Sequence, residues 1–425
     1  MIRARRLDCI SAVVIFANRV VWLGGFVYAA IVAAEPLTID RALELAERNH
    51  PQLRAAVAQR EGAQFGITTA RAYPNPETGV LVGHQRARVL GTVPGPVQVY
   101  SFSQPLETPS VRATRIQAAE QRQTSTTFAL DETRLLIRAS VRQAFYGALR
   151  RRAELEIARD NQRLVEDLRR RIQVQFNVGE AARLELTRSE AEVAIARTST
   201  QSAELRLVSA LATLRAAASL PPETDIDPRG TLSGTTGLPD LETLRRQAFE
   251  NHPALRLASS EVRRAEVRLR NEIALRTPQP FLRSEYEHQP DVATYRVGIA
   301  VPVPVWNKRE GPIGEATAAV RQAASEADLR RLELNTALEN AYGRYQVATR
   351  QLALYQEGVL KQAEAALQAA EASYKFGERG ILEVLDAQRV LRAARLDFLN
   401  AQYDRQAALI DLEQLRAAVF EEKKP

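Results

Sequence analysis

The sequence predicts a mainly α-helical chain with membrane β-structure, built as a duplicated unit of long antiparallel coiled-coil helices plus two β-hairpins. Three observations carry that expectation. The first is a repeated turn. Tyr374-Lys-Phe-Gly-Glu-Arg-Gly-Ile-Leu-Glu-Val-Leu-Asp386 echoes Phe176-Asn-Val-Gly-Glu-Ala-Ala-Arg-Leu-Glu-Leu186, and aligning Gly179 with Gly377 pairs Glu180 with Glu378, Leu184 with Leu382 and Glu185 with Glu383. The second is a period of seven after each turn, through Leu186, Val193, Thr200, Leu207 and Leu214, and through Val384, Leu391, Phe398, Arg405, Leu412 and Val419. Such a repeat is the seam of a left-handed coiled coil, so each copy reads as the tip of a helical hairpin. The third is a second duplication: Asn49-His50-Pro51 and Leu53-Arg54 return as Asn251-His252-Pro253 and Leu255-Arg256.

Taken in order, residues 1–34 read as a secretory leader. The apolar run 20–34 follows an arginine-bearing segment and ends in small residues before Glu35-Pro36, which predicts cleavage after Ala34. The run is shorter than the ~20 residues of a spanning helix. The single cysteine, Cys9, falls inside it, so the exported chain has no thiol for disulfides or metal ligation. Arg3, Arg5, Arg6 and Arg19 against Asp8 supply +3 of the net +7 before residue 35. The remaining +4 is spread among alternating signs, which describes a solvated surface and argues against nucleic-acid binding.

Residues 35–220 form a first unit, 221–239 a Pro-, Gly- and Thr-rich linker, and 240–425 a second unit. Each unit opens with a capped short helix stopped by the residue before proline. A further helix follows, over about 51–72 and about 253–276. Strand candidates come next, at about 77–86 and 96–105 in a hairpin spanning about 77–105, and in a second hairpin spanning about 280–304. There Leu282, Ser284 and Tyr286 alternate against Arg283, Glu285 and Glu287, giving one apolar and one polar face. Each strand can reach the ~9–11 residues that cross a bilayer. Tyr100, Phe102, Phe281, Tyr286, Tyr295 and Trp306 are placed as candidate interface aromatics. Proline-free arms from about 110 and about 314 lead to the two tips, and the helical hairpins end near 218 and 420. Each arm can span on the order of 90–100 Å, which suits only 20 Gly, 20 Pro and 6% aromatics in 425 residues.

With these features in place the chain resembles the TolC-type outer membrane factors, across essentially all of 36–420. The resemblance rests on the order of the duplicated elements, on Phe176-Asn-Val-Gly179, and on Gly377-Glu-Arg-Gly-Ile-Leu-Glu-Val-Leu-Asp-Ala387. Tyr73-Pro-Asn-Pro-Glu77 and Val301-Pro-Val-Pro-Val-Trp-Asn-Lys-Arg-Glu-Gly-Pro-Ile-Gly-Glu315 look most like the branch serving heavy-metal resistance pumps. The resemblance implies an exit duct in the outer membrane of a Gram-negative bacterium, extending into the periplasm, with an inner-membrane RND pump and a periplasmic adaptor as partners. Ducts for drugs or for type I secretion share the same pattern. Lipid tolerates no open strand edge, so four strands per chain call for assembly. Two chains would make an eight-stranded barrel filled by side chains, whereas a homotrimer makes a 12-stranded outer-membrane β-barrel with room for a lumen, continued by a periplasmic α-helical barrel. A periplasmic coiled-coil structural protein would share the heptads but leave the hairpins unaccounted for.

The resemblance also assigns residues. Glu383 and Asp386, i and i+3 on one helix, read alone as a solvated acidic turn; the family match makes them stacked carboxylate rings at the inner constriction, with Glu standing where the family has Asp. Tyr374 and Arg379 match gate residues, with Glu185 as the expected ion-pair partner of Arg379. The tips at Val178, Gly179, Phe376 and Gly377 are the places for adaptor docking. The four histidines, His50, His84, His252 and His288, have no zinc-site spacing, and His50 and His252 are expected to make structural hydrogen bonds. No phosphate loop, nucleophile elbow or acid-base constellation appears, so the expectation is a non-enzyme without a cofactor or bound metal.

Overall fold

The structure is a computed structural model that describes residues 35–86, 88–232 and 237–417. The expected leader, with Cys9, and Val419 of the second heptad run lie outside the described residues.

The described residues open with a short strand, β1 (Glu35–Leu37), and two helices, α1 (Ile39–Asn49) and α2 (Pro51–Arg71). Thr38 caps α1 by accepting from the Arg41 N–H at 3.3 Å. His50 closes α1 in an extended conformation, and its Nδ1 accepts the Gln52 N–H at 3.3 Å, so one residue ends one helix and caps the next. Pro51 sits at the first position of α2, where its missing N–H costs nothing. The second unit repeats this device. α5 (Leu241–Asn251) is capped by Asp240 on Thr243, and His252 Nδ1 accepts the Ala254 N–H at 3.2 Å to start α6 (Pro253–Ala274).

The strands are β2 (Glu77–Gln85), β3 (Gly95–Pro105), β5 (Phe281–His288) and β6 (Ala293–Ala300), joined antiparallel in the order β2-β3-β5-β6. The pairings Val80 to Tyr100, Tyr100 to Tyr286 and Tyr286 to Tyr295 place these residues on one face. Alternation adds Val82, Phe102, Leu282, Val297 and Ile299 to that face. The opposite face carries Gly79, Ser101, Arg283, Glu285 and Arg296, with Arg296 bridging Glu285 at 2.7 Å. Phe281 corrects one expectation. Its partners Pro105 and Ala300 put it on the small and polar face, out of the aromatic set.

The long helices form a wall rather than a globular core. α3 (Pro109–Asn177) runs 69 residues and packs on α2 and α6 in its upper half, and on α4 (Arg183–Ala217) and α9 (Ile381–Leu415) below. Phe145, Val141, Leu130 and Leu214 are fully buried midway down, with Leu37 and Ala42 of the opening segment. Burying each such side chain contributes ~1.5–3 kcal/mol. The repeats are tied together at this level by the Arg142 to Glu413 ion pair and by Asp411, which accepts from both Gln143 at 2.8 Å and Arg344 at 2.9 Å.

The structure adds detail to the junction and to the second arm. The stretch 221–239 is not a bare linker: β4 (Ile226–Pro228) pairs parallel with β1, and Asp227 is held by Arg152 and Arg229, so the junction is clamped to the wall. The second arm is helical throughout, as its proline-free sequence predicts, but changes helix type along the way. α7 (Glu310–Leu354) passes through a π-turn at Tyr355–Val359 before α8 (Leu360–Lys375). The second heptad run also leaves the seam in its middle, where Phe398 and Arg405 are only half-buried while Leu399, Gln406 and Leu409 are buried. Among the described residues no helix is long and apolar enough to cross a membrane.

Candidate functional site

The residues singled out from the sequence lie at the pair of tips. Both turns use the same stereochemistry. Val178 and Phe376 end their helices near φ −90°, ψ 0°, and Gly179 and Gly377 follow at φ +84° and +74°, a left-handed conformation that excludes most side chains. The amides of the next residues close each turn: Glu180 N–H reaches the Gln175 carbonyl at 2.8 Å and Glu378 N–H the Ser373 carbonyl at 3.0 Å. This is the Schellman arrangement, which satisfies orphan carbonyls at a helix end. Val178 and Phe376 project into solvent, 65% and 77% exposed.

Behind the turns the two tips differ. Ile381, Val384 and Leu385 of the second tip are buried in a cluster with Leu168 and Ile172 of α3, and with Ala363 and Leu367 of α8. Tyr374 Oη donates to Gln175 Oε1 at 2.7 Å, joining the last turn of α8 to the last turn of α3. Burial pushes the Tyr374 phenol above its ordinary value, and the negative field of Glu185 adds to that, so the group is a neutral donor.

Arg379 departs from expectation. It does not pair with Glu185; its guanidinium donates to Glu383 Oε2 at 2.7 Å, i to i+4 on its own tip. A short-range partner at the helix start, where a carboxylate also meets the helix dipole, wins over a distant one. That bond and the charge of Glu383 hold the guanidinium above its usual value. Asp386 is likewise covered, by Arg389 Nη1 at 3.3 Å. The same Arg389 donates through Nε to Glu192 Oε1 on α4 at 2.7 Å.

Tyr374, Arg379, Glu383 and Asp386 therefore lie on one tip, with Glu185 near enough to Tyr374 to act on it electrostatically. Three further residues, Gln175, Arg389 and Glu192, complete the arrangement. Sequence reading passed over them because their partners lie almost two hundred residues away. Only the i, i+3 spacing of Asp386 and Arg389 was a local signal. Among the described residues no group of three or more His, Cys, Asp or Glu is close enough to hold a metal ion.

A sheet with one apolar face and two open edges, standing on a wall of paired helices with charged tips, defines a membrane-inserted channel protomer. The sequence bears this out at the level of family: the outer membrane efflux protein family matches residues 42–219 and 244–418, and the chain belongs to that family. It is an outer-membrane component of an efflux system.

Among curated proteins the chain is 27% identical, over 87% of its own length and 87% of the other's, to the cobalt-zinc-cadmium resistance protein CzcC of Cupriavidus metallidurans. Among solved structures, the fold matches the outer-membrane channel OprN with a TM-score of 0.78 at 15% identity, over 89% of each chain. It matches CusC with a TM-score of 0.77 at 18% identity, over 89% of this chain and 91% of that one. VceC of Vibrio cholerae matches with 0.76 at 16% identity, over 89% and 95%.

Proposed function

We propose that this chain is the exit duct of a tripartite RND-type efflux system, working as a homotrimer with a periplasmic adaptor and an inner-membrane pump, and that its cargo is heavy-metal cations. The observation that carries the cargo is the relationship, over 87% of both chains, to a cobalt-zinc-cadmium resistance protein. The acidic pair on the second tip supports it.

Trimerisation is supported by what the single chain leaves open. β2 and β6 are the sheet's unpaired edges, and α4 exposes Leu184, Ile195, Leu205 and Val208. Three chains supply twelve strands, apolar face outward and charged face inward, with every edge paired.

In the trimer, Glu383 and Asp386 form two rings of three carboxylates each. With Arg379 on Glu383 and Arg389 on Asp386, the rings are charge-compensated and the tips drawn in. Each exposed pair contributes only ~0–1 kcal/mol, and the Tyr374 to Gln175 bond ~0.5–1.5 kcal/mol. An adaptor seated on Val178, Gly179, Phe376 and Gly377 can therefore release them. Breaking Arg379 from Glu383 widens the opening while the ring carboxylates stay in place, so conductance rises and cation preference is kept.

The test is complementation. In a strain lacking its own duct, with pump and adaptor present, the gene restores tolerance to zinc, cobalt and cadmium. Restored tolerance to lipophilic drugs with unchanged metal sensitivity overturns the cargo.

A further inference from the structure

The π-turn Tyr355–Val359 is unlike anything in the first repeat, and the sequence around it explains why it is there. Above it, the residues of α7 turned to the wall follow steps of four and three: Leu334, Leu338, Ala341, Tyr345, Ala348, Leu352. Continued downward, that rhythm falls on residues 355, 359, 362 and 366. The wall-facing residues of α8 are instead Ala363, Leu367, Ala370 and Tyr374, while Val359, Gln362 and Ala366 are exposed. The seam has slipped by one residue. A π-turn takes up one extra residue, and the Leu360 N–H donates to the Tyr355 carbonyl five residues back. The slip is thereby absorbed, and Ala363 and Leu367 still join the buried cluster with Ile381 and Val384. In α3 the matching seam, Ala158, Val165 and Ile172, keeps steps of seven and the helix is unbroken.

An absorbed slip makes two discrete arrangements available. If the five residues pass into α-geometry, everything below turns by about 100°, the angle of one residue. Ala363 and Leu367 then leave α9, and Tyr374 leaves Gln175. The π-turn lies 15 residues above Tyr374, or about 22 Å along the helix. It therefore separates the gate-bearing end from the part of α7 anchored by Leu338, Ala341 and the Arg344 to Asp411 pair. Tyr355 Oη reaches Asp397 of α9 at 3.4 Å at this level, and Arg395 of α9 pairs with Glu364 of α8 at 3.0 Å just below.

We propose that Tyr355–Val359 is the pivot of the gate: α8 and the second tip swing about this π-turn, while α3 and the first tip stay fixed. This rests on the duct reading above, and the experiment separates the two. Gly358 is deleted, which removes the spare residue and makes the seam continuous; only the end of Gln362 lies near this position. The variant is expected to form trimers as the wild type does, to lose efflux down to the empty-vector level, and, when combined with Arg379→Ser, to show none of the conductance gain expected from breaking the Arg379 to Glu383 pair. Deleting the matching Asp160 of α3, which has no residue to spare, is expected to abolish the trimer. Failure of the Gly358 deletion to assemble, or wild-type efflux from it, overturns the pivot. Amide hydrogen exchange reads the pivot whether or not the protein conducts. Residues 355–359 should exchange faster than residues 157–161 of α3, and the deletion should remove the difference. Equal exchange in the two arms of the wild type also overturns it.

Discussion

The two tips are one motif in two surroundings. Both close with a left-handed glycine and the same pair of amide bonds. Beyond the shared Gly-Glu pair, however, the first continues as Ala181-Ala182-Arg183 and the second as Arg379-Gly380-Ile381. Ile381 is buried against two helices and Arg183 is exposed, so the second tip is packed into its own chain while α4 of the first keeps apolar residues uncovered. The lesson is that turn geometry and turn function are separable. The glycines set where the chain reverses; the residues that follow set how far each tip is packed into its own chain.

The strongest way to break that comparison is at the shared feature. Gly179→Val and Gly377→Val each place a β-branched residue at positive φ, at a local cost of ~1–3 kcal/mol. Loss of efflux complementation is expected from both, with trimer still recovered from the membrane. Undiminished efflux from both would show that the tips are not docking points.

The two helix-capping histidines sharpen the comparison of repeats in another place. His252 is 7% exposed and its pKa is lowered by burial from 6.5 to about 4, whereas His50, half-buried, is lowered by the same cause. The unfolded chain takes up a proton near pH 6.5 that the folded chain refuses until about pH 4. The stability held by neutral His252 is thus complete above 6.5 and is lost as pH falls through that window, by roughly 3 kcal/mol per chain. His252→Asn keeps a side-chain cap and should flatten thermal stability between pH 6.5 and 4, measured on the detergent-solubilised protein; His50→Asn should flatten it less.

Smaller effects are expected from the charges of the second tip. Neutralising the carboxylates as Glu383→Gln and Asp386→Asn should reduce cation selectivity in a planar bilayer and weaken block by multivalent cations from the periplasmic side. Equal selectivity and block in wild type and variant would remove these residues from the constriction. Arg379→Ser, which breaks one exposed pair of ~0–1 kcal/mol, should raise conductance modestly and leave selectivity in place, whereas Arg183→Ser on the first tip should change neither.

Much of this was legible because it is written in local pattern. Heptads, Pro-bounded alternating runs and the two Asn-His-Pro repeats predict helices, strands and caps from contacts within a few residues, and β5 begins and ends where its alternation does, at Phe281 and His288. What the chain alone determined was therefore the order of elements, the apolar and polar faces of the hairpins, the turning points and the family. Tertiary structure decided the rest, because it concerns partners far apart in the chain. Competition between Glu383 and Glu185 for Arg379 is settled by distance across a turn. The pairing of β4 with β1 joins two short segments with no periodicity of their own. The π-turn records a one-residue slip that becomes visible only when α9 shows which residues of α7 and α8 have to face it.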